Sequence, residues 1–143
     1  MKNIYLRIFV IILFVSVTDL SGQTKDQFEF ETNKEAHDYF MKLYNAGSYT
    51  DAAIVLRKSY KKFANNIEAN AFNLAITLGH LGELDEGLEV LNYGHLHGVW
   101  YNVLALGVDV FNPYKDLPAF KEFVARNLAM KNEACLQSKA QYM

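Results

Sequence analysis

Gly47-Ser48-Tyr49-Thr50-Asp51-Ala52 is echoed 35 residues later by Gly82-Glu83-Leu84-Asp85-Glu86-Gly87. Each stretch reads as the end of one helix and the start of the next. Glycine closes a helix readily because it accepts positive φ without a Cβ clash. Thr50 and Asp85 then offer side chains that can cap the helix that follows. A period near 35, made of two helices and a glycine turn, is one supersecondary unit. Such a unit cannot bury its apolar face alone, so two of them in sequence predict stacking. The expected fold class is all-α, an antiparallel helix-hairpin stack.

Working outward, Thr32-Asn33-Lys34-Glu35 fits a capping box. The helix it opens carries Ala36, Tyr39, Phe40, Leu43 and Tyr44 at steps of three and four. The second helix keeps that spacing with Ala53, Leu56, Tyr60 and Phe63, and Arg57, Lys58, Lys61 and Lys62 read as its solvated side. Ala64-Asn65-Asn66 is a turn. The third helix, about Glu68 to Gly79, is apolar on two stripes: Ala71, Leu74, Ala75 and Leu78 on one, Phe72 and Ile76 on the other. That pattern predicts a helix sandwiched between neighbours. A fourth helix repeats Leu84, Leu88, Leu91 and His95 and ends in the glycine-bearing turn Tyr93 to Gly98.

After Trp100 the period is lost. Trp100 to Leu106 reads as a short helix and Val108 to Lys115 as an irregular strap. Pro118 suits a first helical turn, with Asp116 as its expected cap. A last helix runs through Phe120, Phe123, Val124 and Leu128, and the polar pattern beyond Met130 predicts fraying. The chain thus divides into residues 1–22, a leader over 23–31, two helix pairs over 32–98, and a capping strap with terminal helices over 99–143.

Residues 1–22 have the form of a secretory signal peptide: Lys2 and Arg7, an apolar run from Ile8 to Val17, then Leu20-Ser21-Gly22 before Gln23. The run falls short of the ~20 apolar residues that span a bilayer, which argues against a retained anchor. The expected location is outside the inner membrane, periplasmic or extracellular, with no membrane contact after cleavage. The whole chain of 143 residues carries a formal charge of −2. Losing Lys2, Arg7 and Asp19 with the first 22 residues leaves −3 on the 121 that remain. That is one small domain. Its mild acidity argues against a nucleic-acid partner, which calls for a basic face. The single cysteine, Cys135, cannot form an internal disulfide.

The two helix pairs resemble tetratricopeptide repeats. Gly47 and Gly82 match the turn glycine, Tyr49 and Leu84 the aromatic or apolar residue after it, and Ala52 and Gly87 the small residue early in the second helix. The proline that usually closes a repeat is Ala64 here. A second resemblance covers the C-terminal third. Gly98-Val99-Trp100 followed by Asp109-Val110-Phe111-Asn112-Pro113-Tyr114-Lys115-Asp116-Leu117-Pro118-Ala119-Phe120 is similar to the segment that precedes α/β-hydrolase domains in secreted bacterial esterases and peptidase-like proteins. Phe111 and Phe120 would plug the open end of the stack. No G-x-S-x-G elbow occurs in the chain, so hydrolase activity is not carried over.

The remaining polar residues form no convincing reactive constellation. His80, His95 and His97 could be imagined on zinc, but no cysteine or placed carboxylate joins them. Asp85, Glu86 and Glu89 are helix-start carboxylates favoured by the dipole. No enzyme activity, metal or cofactor is expected. The resemblance instead implies a peptide groove on the first helix of each pair, lined by His37, Met41, Tyr44, Phe72, Asn73, Ile76 and His80. The basic clamp that grips a C-terminal carboxylate in some tetratricopeptide proteins has only weak substitutes here: Lys34, Lys42 and Asn73. The resulting expectation is a non-enzymatic protein-protein interaction module whose partner is a protein or peptide. The alternative is an accessory or remnant segment of a secreted hydrolase.

Overall fold

The computed structural model describes residues 28–101 and 111–141. The expected signal peptide and positions 23–27 of the leader lie outside the described residues. The described residues form five α-helices and no strand: α1 Asn33–Asn45, α2 Tyr49–Lys62, α3 Ile67–Leu81, α4 Leu84–Leu96 and α5 Pro118–Gln141. A single 3-10 turn, Ala64–Asn66, joins α2 to α3. The fold is an all-α helical stack.

The two glycine turns are the same structure. Gly47 and Gly82 both have φ of 75°. After α1, the Gly47 N–H donates to the Tyr44 carbonyl (3.0 Å) and the Ser48 N–H to the Leu43 carbonyl (2.9 Å). After α3, the Gly82 N–H donates to the Gly79 carbonyl (3.2 Å) and the Glu83 N–H to the Leu78 carbonyl (2.9 Å). This pair of bonds satisfies carbonyls that a helix end would otherwise orphan. Gly98, with φ of 77°, closes α4 in the same way.

Helix starts follow the sequence less closely. The Thr32–Glu35 capping box forms as expected. Thr50 and Asp85 do not cap: each helix begins two residues earlier than such a cap would allow, α2 at Tyr49 behind Ser48 and α4 at Leu84 behind Glu83, with no side-chain cap bond at either. The tight turns leave no room for an extra uncoiled residue, so the chain is already helical where the capping side chains stand. Likewise α5 starts at Pro118 directly after Leu117, which puts Asp116 one residue too early.

The helices pack in two rows. In one, α1 lies beside α3: the Asn70 amide donates to Asn33 Oδ1 (2.7 Å), and Tyr44 Oη and His80 Nε2 lie 2.9 Å apart. In the other, α2 lies beside α4: Arg57 bonds Glu83 and Glu86, and the Tyr60 and Tyr93 rings meet edge-on at 5.6 Å. Between the rows sit Ala36, Phe40, Val55, Leu56, Leu74, Leu78, Leu88 and Leu91, all buried. As its two apolar stripes predict, α3 is the central helix, with nine buried residues from Ile67 to Gly79.

The cap closes the second hairpin with rings. Tyr101, Phe111, Tyr114, Phe120 and Phe123 are all buried. Phe111 and Phe120 stack at 5.6 Å and 22°, and Phe72 of α3 lies beneath Tyr101 and Phe111. Each buried ring contributes about 1.5–3 kcal/mol, so the plug is a substantial part of the core. Tyr114 fits a notch made by two glycines: a Cβ at Gly87 would lie 2.0 Å from its hydroxyl, and one at Gly79 2.9 Å from its ring. The hydroxyl donates to the Ala75 carbonyl (2.5 Å). Trp100 and Tyr101 are not helical, and the rest of the expected helix to Leu106 lies outside the described residues. Beyond Met130, where the polar pattern predicts fraying, α5 runs as helix to Gln141.

Candidate functional site

The face shared by α1 and α3 is pinned at both ends. At one end is the Asn33–Asn70 bond. At the other, Tyr44 reaches His80, and the His80 ring stacks flat on Tyr49 with centroids 4.3 Å apart at 5°. Phe40, Tyr44, Tyr49 and His80 form one aromatic group around that end. Burial, and secondarily Tyr49, raises the Tyr44 hydroxyl above its ordinary value, so it keeps its proton.

The groove residues expected from the resemblance divide between the surface and the interior. His37 is half-buried, tilted against Phe40 at 6.0 Å. Met41 is 38% exposed. Tyr44 and Asn73 are half-buried, and His80 is exposed. These five share the accessible face. Phe72 and Ile76 do not belong with them. Ile76 is a core residue at 9% exposure, and Phe72 turns under the cap rings. The physical reason is the cap itself. Aromatic rings from the C-terminal third occupy the side of α3 that periodicity alone leaves free.

Other polar groups are structural. The Arg57 guanidinium donates to both carboxylate oxygens of Glu86 (2.7 and 2.6 Å) and also to Glu83. It is therefore a rivet between α2 and α4, where the sequence suggested a solvated side. The Arg57 bond holds the Glu86 carboxyl below the usual carboxylate range. Both partners are over one-third accessible or close to it, so the pair is worth only about 0.5–1 kcal/mol.

His95 lies on α4, in step with Leu84, Leu88 and Leu91. It stacks on Phe123 (4.4 Å, 12°) and faces Asn127. Asn127 is buried and clamps the strap: its amide donates to the Tyr101 carbonyl (2.6 Å), and its Oδ1 accepts from the Tyr101 N–H (2.7 Å). That orientation leaves Oδ1 facing His95 Nε2 at 3.0 Å, so Nε2 carries the proton. Burial, followed by the Arg126 charge, lowers the His95 pKa, against the opposing pull of the Asn127 bond. His97 Nδ1 bonds the Tyr93 carbonyl within its own turn (2.8 Å). Among the described residues, no group of three or more His, Cys, Asp or Glu is placed to hold a metal ion, and no helix is long and apolar enough to cross a membrane.

A cavity of about 230 Å³ lies where the leader crosses α2, lined by Phe28, Glu29, Phe30, Lys58, Ser59, Lys62 and Phe63. Lys62 Nζ donates to the Phe30 carbonyl there (2.7 Å), and Phe28 and Phe30 both lie against Tyr39. The leader thus lies against Tyr39 of α1 and the C-terminal end of α2.

Comparison with protein-family models, curated proteins and solved structures found no match. The residues sequence reasoning missed are Arg57, Tyr114 and Asn127. The small residues Gly79 and Gly87 were a legible signal for Tyr114, because a glycine within a helix costs stability unless something packs close to it.

Proposed function

We propose that this chain is an exported, tetratricopeptide-like interaction module without catalytic activity, which holds a peptide segment of a partner protein against the α1/α3 face. One observation carries the reading: His37, Met41 and Tyr44 on α1 stand beside Asn73 and His80 on α3, and cross-helix bonds at Asn33–Asn70 and Tyr44–His80 hold these two helices together. Preorganised side chains lose less conformational freedom on binding, which favours capture of an extended or helical segment. The mixture of an exposed thioether, aromatic rings and neutral hydrogen-bonding groups suits a segment with apolar side chains and a polar backbone.

The test is a pull-down from envelope extract with the chain lacking residues 1–22, repeated with His37→Glu, Met41→Glu and Asn73→Lys. A partner retained by the wild type and lost by at least ~10-fold in these variants supports the reading, since a central contact is worth about 1.4 kcal/mol or more. A partner that binds all variants equally, or no retained partner, overturns it.

A further inference from the structure

One stripe along α2 reads Ala52, Leu56, Ser59 and Phe63, at steps of four, three and four. Ser59 is its odd member. It is 1% exposed, yet it is small and polar where the stripe calls for a bulky apolar side chain. Its hydroxyl donates to the Leu56 carbonyl (3.3 Å), so its proton is taken up within the helix. Beside it lies the cavity of about 230 Å³ under the leader. The leader leaves that space open because its rings are engaged elsewhere: Phe28 and Phe30 both lie against Tyr39 of α1, at 5.5 and 5.8 Å. Roughly 150 Å³ of apolar cavity is enough to admit benzene.

We propose that this cavity binds a small aromatic carboxylic acid as its anion, the ring among the phenylalanines and the carboxylate on the Lys62 ammonium. The walls are of the two kinds this ligand needs. Phe28, Phe30 and Phe63 supply rings. Lys58 and Lys62, one helical turn apart, supply two cations against a single carboxylate, the exposed Glu29. The lining is thus net positive on a chain that is acidic as a whole. Lys62 Nζ donates one of its three N–H groups to the Phe30 carbonyl (2.7 Å) and lies 5.6 Å from the centre of the Phe63 ring. That bond leaves two N–H groups for a carboxylate, in a charge-assisted contact. Ring burial against the phenylalanines supplies the rest of the affinity. A second hollow beside Phe30, of about 460 Å³, has the opposite balance, Glu35 and Asp38 against Lys42, so charge directs the acid to the first. The cavity shares no lining residue with the α1/α3 face, so its occupancy is independent of peptide binding there.

The test is an amide NMR titration of the chain lacking residues 1–22, all five helices of which lie beyond the cut, with phenylacetate as the probe. Saturable shifts are expected at the amides of Phe30, Ser59 and Phe63, with a Kd of about 1 mM or tighter, the range a ligand of this size reaches. Phenylacetamide, of the same shape without the charge, should bind about 3-fold more weakly or worse. Acetate, which lacks the ring, should bind about 10-fold more weakly or worse. Lys62→Gln keeps a donor for the Phe30 carbonyl and loses the charge. It should erase the advantage of phenylacetate over phenylacetamide, and Lys62→Arg should keep it. Phe30→Ala should weaken both ligands. The same spectra show whether each variant remains folded. No saturable shift at these amides would overturn the proposal. So would equal binding of the acid and the amide by the wild type, or an advantage for the acid that survives Lys62→Gln.

Discussion

From Asn33 to Leu96 the core is built mostly of Ala, Leu and Val, whereas past Val99 it is built of rings: Tyr101, Phe111, Tyr114, Phe120 and Phe123. The hairpins repeat one local device, a helix closed by a glycine at φ near 75°. The cap is held instead by long-range details: a tyrosine seated on a glycine of α4, Tyr114 on Gly87 and Tyr101 on Gly94, and Asn127 on the Tyr101 backbone. Aliphatic side chains of adjacent helices can accommodate one another in many ways. A ring seated on a glycine has one position. The hairpin region should therefore yield gradually to substitution and the cap abruptly.

The largest effect is expected from Tyr114→Ala, which empties a fully buried ring site and should cost about 3–5 kcal/mol in urea unfolding. An equal loss from a solvent-side hairpin residue such as Met41→Ala would erase the contrast between the regions. Asn127→Ala comes next at about 2–3 kcal/mol, because it strands the Tyr101 N–H and carbonyl in a buried place. Native-state hydrogen exchange at the Tyr101 amide should rise with it.

Gly87→Ala and Gly47→Ala sharpen the comparison further. The first adds a Cβ 2.0 Å from the Tyr114 hydroxyl and should lose about 1–3 kcal/mol in spite of better helix propensity. The second meets open space and loses only the backbone strain of positive φ, about 1–2 kcal/mol. Tyr114→Phe should partly relieve Gly87→Ala and leave Gly47→Ala unchanged, which a double-mutant cycle would read directly.

The smallest effect is acid sensitivity at His95. Its folded pKa is depressed by burial, so the unfolded chain takes up the proton first as pH falls. The stabilisation is complete above the ordinary histidine value near 6.5 and is lost as pH drops through the lower folded value. The urea midpoint should fall between about pH 7 and pH 5 in the wild type, and less in His95→Gln.

Much of the hairpin region was legible because its signals are local. The Thr32 capping box, the glycine turns and the apolar steps of α1 to α4 each concern residues within one or two helical turns. The α1/α3 face was partly legible. Position in the repeat selected His37, Met41, Tyr44, Asn73 and His80 along with Phe72 and Ile76. Nothing local could tell that Tyr101 and Phe111, some 30 to 40 residues on, would cover Phe72. The same holds for Arg57, which one-dimensional spacing placed in solvent and which Glu83 and Glu86 draw into the α2/α4 seam.

The sequence by itself determined that the chain is helical, where its hairpins bend, and which stripe of each helix is oily. Those properties follow from backbone sterics and from the 3.6-residue period, which neighbours along the chain settle among themselves. Only the tertiary structure decided which oily stripes meet one another, and which polar side chains become rivets. Those outcomes depend on shape and distance between segments far apart in the chain: a glycine notch waiting for a tyrosine, and an asparagine matched to a strap it never neighbours in sequence.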